Sequence, residues 1–167
     1  MGTVRVALDP GAARFASSSF PGLSLVQGTN FPVFSLAYDG SSTERAYWKV
    51  PLLGYGSGNI TCTVEWYADT ATSGGVTWET ALAAITPNVD TTDVETKAFA
   101  TANTATDTHL GTTGQRVHTV DVTISNLDGV TAGDVVWLRV SRLPSDSGDT
   151  MTGDAMLLGL TLAYSDS

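Results

Sequence analysis

Alternation between apolar and polar residues constrains this sequence more than any other feature. From Phe31 to Tyr164, short alternating runs are separated by clusters rich in Gly, Ser, Thr, Asp and Asn. A β-strand with one buried and one solvated face has this two-residue period, and many short strands between turns are typical of sandwiches and barrels. The pattern predicts an all-β fold, an antiparallel β-sandwich that is jelly-roll-like and has about eight strands.

The predicted strands differ in how clearly the pattern defines them. The clearest runs from Ile60 to Trp66, where inward and outward residues alternate without interruption. The run Val135–Val140 is almost entirely apolar, which indicates a central strand covered on both faces. Residues 79–85 would also suit a helix, but the Val-Thr-Trp before them favours a strand. Residues 97–105 are predicted to form a strand around Phe99.

Residues 1–29 differ from the rest and are predicted to be an extended N-terminal arm, with the β-sandwich domain at 30–167. The arm contains one alternating piece, a turn at 9–11 and a serine run at 17–19. It fits either a disordered tail or an arm that adds a strand to a neighbouring subunit's sheet edge. If it docks, Val4, Val6 and Leu8 are the predicted partner-binding residues.

Charge and cysteine content exclude several classes of function. The net charge is −9 and Lys49 and Lys97 are the only lysines, which disfavours nucleic acid and anionic membranes as partners. Cys62 is the only cysteine, so an intrachain disulfide is excluded, in agreement with synthesis in a reducing cytosol. Neither a secretory signal nor an apolar run of membrane-spanning length is predicted.

No residue pattern predicts a reaction, so the sequence predicts a protein that is not an enzyme and needs no cofactor. Cys62 could be a nucleophile only with His109 or His118 as its base, but it shares the predicted inward face of its strand with Val64 and Trp66. A cysteine in that position is usually a small core residue. The two histidines do not have the spacing of a zinc site.

One acidic loop could hold calcium, because Asp146, Asp149 and Asp154 lie close together in sequence. Their spacing is not that of an EF-hand, and Asp and Gly also favour turns. Arg139 and Arg142, at the end of the preceding strand, are predicted partners for nearby carboxylates. The interpretation without a metal ion is favoured, and the cation question stays open.

The four tryptophans could line a platform for sugar rings. Trp48, Trp66 and Trp78 each lie in an alternating strand beside apolar residues, where core packing is the usual role of a large aromatic. Trp137 differs, because it can point to the face opposite Val136 and Leu138. Glycan binding is therefore an alternative that depends on an exposed aromatic residue.

Five segments, taken in order, resemble small jelly-roll proteins of tailed-bacteriophage virions, which serve as capsid decoration, head-fibre or tail-fibre modules. The resemblance spans residues 31–164 and is carried by Ala46–Pro51, Cys62–Tyr67, Gly75–Glu79, Ala132–Arg142 and Asp149–Gly159. It implies a non-enzymatic structural protein that decorates or cements the capsid exterior.

The same resemblance implies a homotrimer whose partners are the major capsid protein or other virion proteins. It also implies a location in the virion, on the capsid exterior rather than the tail, after synthesis in the host bacterial cytoplasm. The alternative function is a receptor- or glycan-binding module of a tail fibre. For that role, the predicted loops at 69–75 and 107–114 are the candidate contact surface.

Overall fold

The computed structural model describes residues 1–166 and confirms the prediction of an all-β antiparallel sandwich. Within that range it has one short 3₁₀ helix, η1 (Pro10–Ala12), and no helix long and apolar enough to cross a membrane. The ten strands are β1 (Thr3–Leu8), β2 (Gly22–Gln27), β3 (Pro32–Tyr38), β4 (Glu44–Val50), β5 (Ile60–Ala68), β6 (Gly75–Ile85), β7 (Asn103–Thr108), β8 (His118–Ile124), β9 (Val135–Arg142) and β10 (Ala155–Ser165).

The strands form two sheets that pack face to face. Sheet A has the order β2-β3-β10-β5-β8, with β1 also paired to β10, and sheet B has the order β4-β9-β6-β7. All pairings are antiparallel. The predicted central position of the 135–140 strand is confirmed, because β9 lies between β4 and β6.

The N-terminal residues belong to the sandwich, which corrects the predicted boundary between an arm (1–29) and a domain (30–167). Strand β10 has eleven residues, enough for two neighbours on one edge: β3 pairs with Ala155–Leu157 and β1 with Leu160–Ser165. The two strands beyond the predicted eight are β1 and β2. Short, apolar β1 forms a strand here because β10 supplies the edge it needs.

The predicted partner-binding residues of the arm face the chain's own core. Val4 and Val6 are half-buried and pack against it, and Leu8 is buried. Their side chains are therefore used within the sandwich, while β1 has no second neighbour strand within the described residues. Partner binding by Val4, Val6 and Leu8 stays a prediction. Because their side chains pack on the core, such binding would use the backbone edge of β1.

The core lies between the sheets and is built around large aromatic residues. Trp48, Trp66 and Trp78 are all at most 1% exposed. Tyr38 meets Trp78 edge to face at 5.2 Å and donates a hydrogen bond to the Val140 carbonyl, which joins sheet A to sheet B. Such pairs add about 0.5–1.5 kcal/mol to the burial of the rings themselves.

The prediction of a strand at 97–105 is only partly right. Strand β7 begins at Asn103, and residues 86–102 form an irregular segment that lies beside β6. The Ala100 N–H donates to the Leu82 carbonyl at 2.8 Å, at a part of β6 that β7 does not reach. The single hydrogen bond anchors the segment to the sheet without extending the ladder.

Candidate functional site

Three of the four tryptophans are core residues and cannot form a sugar platform. The Trp48 indole N–H donates to the Asp9 carbonyl at 2.9 Å, and the Trp66 indole N–H donates to the Asp107 carboxylate at 3.0 Å. These bonds satisfy the indole N–H groups of Trp48 and Trp66, whereas the indole N–H of Trp78 is buried without a hydrogen-bond partner. Trp137 is different, because it is only half-buried and lies on the outer face of sheet B.

Strand alternation places Tyr47 on the same outer face as Trp137. In β4, Tyr47 and Lys49 alternate with the buried residues Trp48 and Val50. The register pairs Lys49 with Trp137 and Tyr47 with Arg139. Cross-strand partners share a face of the sheet, so this surface combines aromatic rings and charges.

Small residues on β6 leave room over the outer face for the segment 86–102. Ala81 and Ala83 are the partners of Arg139 and Trp137 in the register. Phe99, from the covering segment, lies 5.9 Å from Tyr47 between ring centroids. Ala81 and Ala83 are buried although they point away from the core, because the segment covers them.

These groups enclose a cavity of about 260 Å³ that we call the aromatic cavity. Sheet B contributes Tyr47, Ala83 and Trp137, and the covering segment contributes Val94, Glu95, Lys97 and Phe99. The lining therefore combines three aromatic rings with a carboxylate, an ammonium and a phenol hydroxyl. Mixed linings of this kind suit a ligand that has both apolar faces and hydroxyl groups.

Ion pairs hold the charged groups around the aromatic cavity in place. The Arg139 guanidinium lies 5.2 Å above the centre of the Phe99 ring and bonds to the Glu79 carboxylate at 3.2 Å. The Lys97 ammonium bonds to Asp128 at 2.8 Å, and Asp128 also accepts from the Ala84 N–H. Each such pair contributes little to stability, but together they fix where Phe99 and Lys97 lie.

The structure gives Cys62 no catalytic role. Its side chain is fully buried, and burial together with the nearby Asp121 raises the pKa of the thiol to about 12. A thiol with that pKa is not a nucleophile at neutral pH. In the register between β5 and β8, His118 lies beside Trp66, whereas Cys62 lies beside Val122.

The two histidines instead form a buried cluster with Trp66. The His118 ring lies flat on Trp66 at 4.6 Å and also contacts His109 at 4.6 Å. The Leu110 N–H donates to His118 Nε2 at 3.0 Å, and the Gly111 N–H donates to His109 Nδ1 at 3.0 Å. A ring nitrogen that accepts a hydrogen bond carries no proton, so both rings are neutral in this arrangement.

The acidic loop is organised by an arginine. The buried Arg142 donates to both carboxylate oxygens of Asp149, at 3.0 and 2.8 Å, and to three backbone carbonyls, those of Tyr38, Met151 and Gly153. This uses every N–H of the guanidinium. Asp146 accepts from the Gly148 N–H, as expected of a turn residue. Within residues 1–166, no three His, Cys, Asp or Glu side chains are grouped to hold a metal ion.

The two predicted contact loops lie together, away from the aromatic cavity. The His109 N–H donates to the Gly74 carbonyl at 2.9 Å, and the Gln115 side chain donates to the Asp69 carbonyl. No residue of either loop lines the aromatic cavity. We therefore place the candidate site at the aromatic cavity on sheet B.

Sequence reasoning identified Trp137 but missed Tyr47 and Phe99. The signal for Tyr47 was present, because it is out of phase with Trp48 and so belongs to the outer face. No local pattern could identify Phe99, whose position depends on how an irregular segment folds over β6.

Neither the family models nor the curated proteins include a match to this chain. Similar solved structures include a carbohydrate-binding module, CBM28, specific for non-crystalline cellulose, with a TM-score of 0.50, 11% identity, and coverage of 89% of this chain and 86% of that one. Another is Clostridium thermocellum xylanase 10B, a CBM22-1 and GH10 protein in complex with xylohexaose, with a TM-score of 0.50 and 9% identity. The match covers 93% of this chain and 26% of that longer one.

A third, xylan-binding module CBM15, has a TM-score of 0.48, 13% identity and 99% coverage of both chains. At such low identity, the two likenesses with a TM-score of 0.50 establish a shared jelly-roll sandwich fold and nothing more. The three proteins are described as carbohydrate-binding modules or contain one, and none as a phage virion protein. The resemblance to phage proteins that the sequence indicated is therefore not confirmed.

Proposed function

We propose that this chain is a non-catalytic glycan-binding module and that the aromatic cavity is its sugar site. The observation that carries the proposal is the position of Trp137, the one tryptophan on the solvent side of its sheet, next to Tyr47 and Phe99. Sugar rings have C–H faces that pack on aromatic rings, and their hydroxyls hydrogen-bond to groups such as those of Glu95 and Lys97.

The fold of the similar structures supports the same class of function. CBM28 is described as cellulose-specific, and the xylanase was solved with xylohexaose. We carry over only the class of ligand, a polysaccharide or oligosaccharide, because function depends on the site and not on the fold.

The test is binding of the full chain to a panel of soluble polysaccharides by affinity electrophoresis, followed by calorimetry with the best ligand. Trp137→Ala should weaken binding by about tenfold to a hundredfold, the value of burying one large apolar ring. Phe31→Ala is the matched control, because Phe31 is an exposed aromatic far from the cavity lining. Equal binding by wild type and Trp137→Ala, or no binding to any glycan, would overturn the proposal.

A second candidate is the role implied by the sequence resemblance, a protein that decorates the exterior of a phage capsid. The observation in its favour is an exposed, uncharged apolar hairpin formed by β2 and β3, a kind of surface that suits contact with another protein. Co-sedimentation of the purified chain with phage heads tests it. Saturable binding in a fixed ratio to the capsid protein would support this role, and absence of binding would contradict it.

A further inference from the structure

The strongest feature outside the candidate glycan site is the apolar surface of the β2–β3 hairpin, residues 22–38, which we call the apolar hairpin. Four of its side chains are widely exposed: Leu23 (67%), Leu25 (61%), Val26 (46%) and Phe31 (69%). Monomeric proteins rarely expose a contiguous apolar patch of this kind without using it.

Both faces of the hairpin are apolar. Leu23 and Leu25 are paired with Leu36 and Phe34, and Leu36 is fully buried in the core, so these side chains lie on the inward-facing side of sheet A. They are exposed although they have the orientation of core residues. Apolar residues on both faces are typical of a strand that is buried on both sides. Leu23 and Leu25 have that sequence pattern but lack a cover.

The other face of the hairpin forms one wall of an apolar groove of about 380 Å³. Its lining is Val26, Phe31, Val33, Tyr67, Gln115, Val117 and Leu158. Six of these seven side chains are aliphatic or aromatic, and Gln115 is an amide. The groove therefore offers few hydrogen-bonding partners to a polar ligand.

Strand β2 is also an open edge of sheet A. It pairs with β3 on one side and has no strand on the other within the described residues. Natural edge strands are usually protected by charge, proline or a bulge, whereas β2 has none of these: its sequence is Gly-Leu-Ser-Leu-Val-Gln, and its pairing to β3 is regular. The β4 edge of sheet B, in contrast, is covered by the chain itself through bonds between Arg14 and Tyr47.

Charge indicates which partner fits this edge. The chain has a net charge of −9, yet the 24 residues between Arg14 and Asp39 contain no charged side chain. Two copies of so acidic a protein repel each other through most of their surfaces. The apolar hairpin is a surface at which they can meet without bringing carboxylates together.

We infer that the apolar hairpin is a self-association surface, at which β2 pairs antiparallel with β2 of a second copy. A two-fold axis between the strands would join the two A sheets and cover Leu23 and Leu25 of each copy with those of the other. This inference does not depend on glycan binding, because the hairpin contributes no residue to the aromatic cavity.

Sedimentation velocity of the full chain, from about one to several hundred micromolar, tests the inference. Wild type should associate with increasing concentration, and Leu25→Glu should raise the dissociation constant by at least about tenfold, because it loses an apolar contact and places like charges together. Leu53→Glu is the matched control: Leu53 is also exposed (76%) but lies outside the hairpin, so it adds the same charge elsewhere. It should associate like wild type.

Salt provides an independent arm of the experiment. Because the association joins two acidic molecules through apolar surfaces, raising the salt concentration should screen their repulsion and strengthen it. If Leu25→Glu loses its circular dichroism signal, Leu23→Ser replaces it, because Leu23 is 67% exposed and lies on the same face of β2.

Two results would overturn the inference. One is a wild type that stays monomeric over the whole concentration range, and the other is association of Leu25→Glu equal to that of wild type. If the monomeric wild type also binds an apolar dye more strongly than Leu25→Glu does, the hairpin has a different occupant.

Discussion

The aromatic cavity on sheet B and the apolar hairpin of sheet A are two exposed surfaces with opposite character. Around the cavity, Arg139 forms an ion pair with Glu79, and Lys97 forms one with Asp128. The hairpin has no charged side chain, and its exposed polar side chains, Gln27, Thr29 and Asn30, lie at or next to its turn. Both surfaces are apolar in part, but only the first has fixed polar groups.

The difference indicates what each surface can bind. Fixed polar groups give orientation and specificity to a small hydrophilic ligand, whereas an uncharged, mainly apolar strand edge gains most from another strand. The two surfaces also differ in how they are covered. A segment of the chain lies over part of sheet B, while no part of the described chain covers β2. If this comparison is correct, each surface can be disabled without affecting the other.

The largest effect is expected at a site that supports both surfaces. Arg142, at the end of β9, bonds to Asp149 and to the Tyr38 carbonyl at the end of β3, so it connects the sheet of the cavity to the strand of the hairpin. Asp149→Ala would leave a buried guanidinium without its counter-ion. We expect the free energy of unfolding to fall by about 3–5 kcal/mol, measured by urea denaturation.

A matched control for this change is Asp121→Ala. Asp121 is exposed on β8 and accepts one hydrogen bond from the Thr63 hydroxyl, so its loss should cost about 1 kcal/mol or less. Equal losses for the two variants would show that the buried pair does not connect the two surfaces as described.

A smaller effect that separates the surfaces is expected from Arg139→Met. The change removes the cation above Phe99 and the bond to Glu79 but keeps most of the side chain's length. Loss of these interactions, worth about 1 kcal/mol, should weaken glycan binding roughly fivefold through a less ordered Phe99. Calorimetry measures the affinity, and sedimentation should show unchanged self-association. Arg5→Met, an exposed arginine on β1, should change neither.

The smallest effect is expected from mild acid. Burial of the His118 ring lowers its pKa below the usual value, and the charge of the nearby His109 lowers it further. Asp107 opposes this shift. The charge of Arg116 lowers the pKa as well, whereas a backbone hydrogen bond with Arg116 raises it. The unfolded chain therefore binds a proton at a higher pH than the folded chain does. Stability that is fully present above about pH 6.5 should decrease as the pH falls below that value toward the lowered pKa.

The measurement is the free energy of unfolding in urea at pH 7.5 and pH 5.5. His118→Gln keeps an acceptor for the Leu110 N–H but does not titrate, so its stability should decrease less between these two pH values. A variant with the same pH dependence as wild type would show that His118 is not the responsible group. The loop that His118 anchors contributes Gln115 and Val117 to the groove beside the hairpin, so acid should affect that side first.

Much of the fold could be predicted because alternation is a local property. Along β5, every second side chain from Ile60 to Trp66 is buried, as the sequence pattern required. The two strands that were assigned to an arm have the same local pattern but too few residues to be convincing alone. Strand β1 forms because eleven-residue β10 has space beside it, and no pattern within 3–8 contains that information.

The candidate site could be predicted only in part for the same reason. Trp137 could be placed on the outer face by its phase relative to Leu138, and Tyr47 by its phase relative to Trp48. The pairing of Lys49 with Trp137, and of Tyr47 with Arg139, depends on strand order, which periodicity does not encode.

The sequence by itself determined the all-β class, the burial of three tryptophans, the inert environment of Cys62 and the absence of charge from residues 15–38. Each follows from composition or from a two-residue period, which a single strand already contains. Only the tertiary structure decided that Phe99 lies beside Tyr47, that β1 joins β10 and that β2 is an open edge. Those features depend on contacts between residues distant in sequence, and such contacts are fixed by how two sheets pack and not by any local preference.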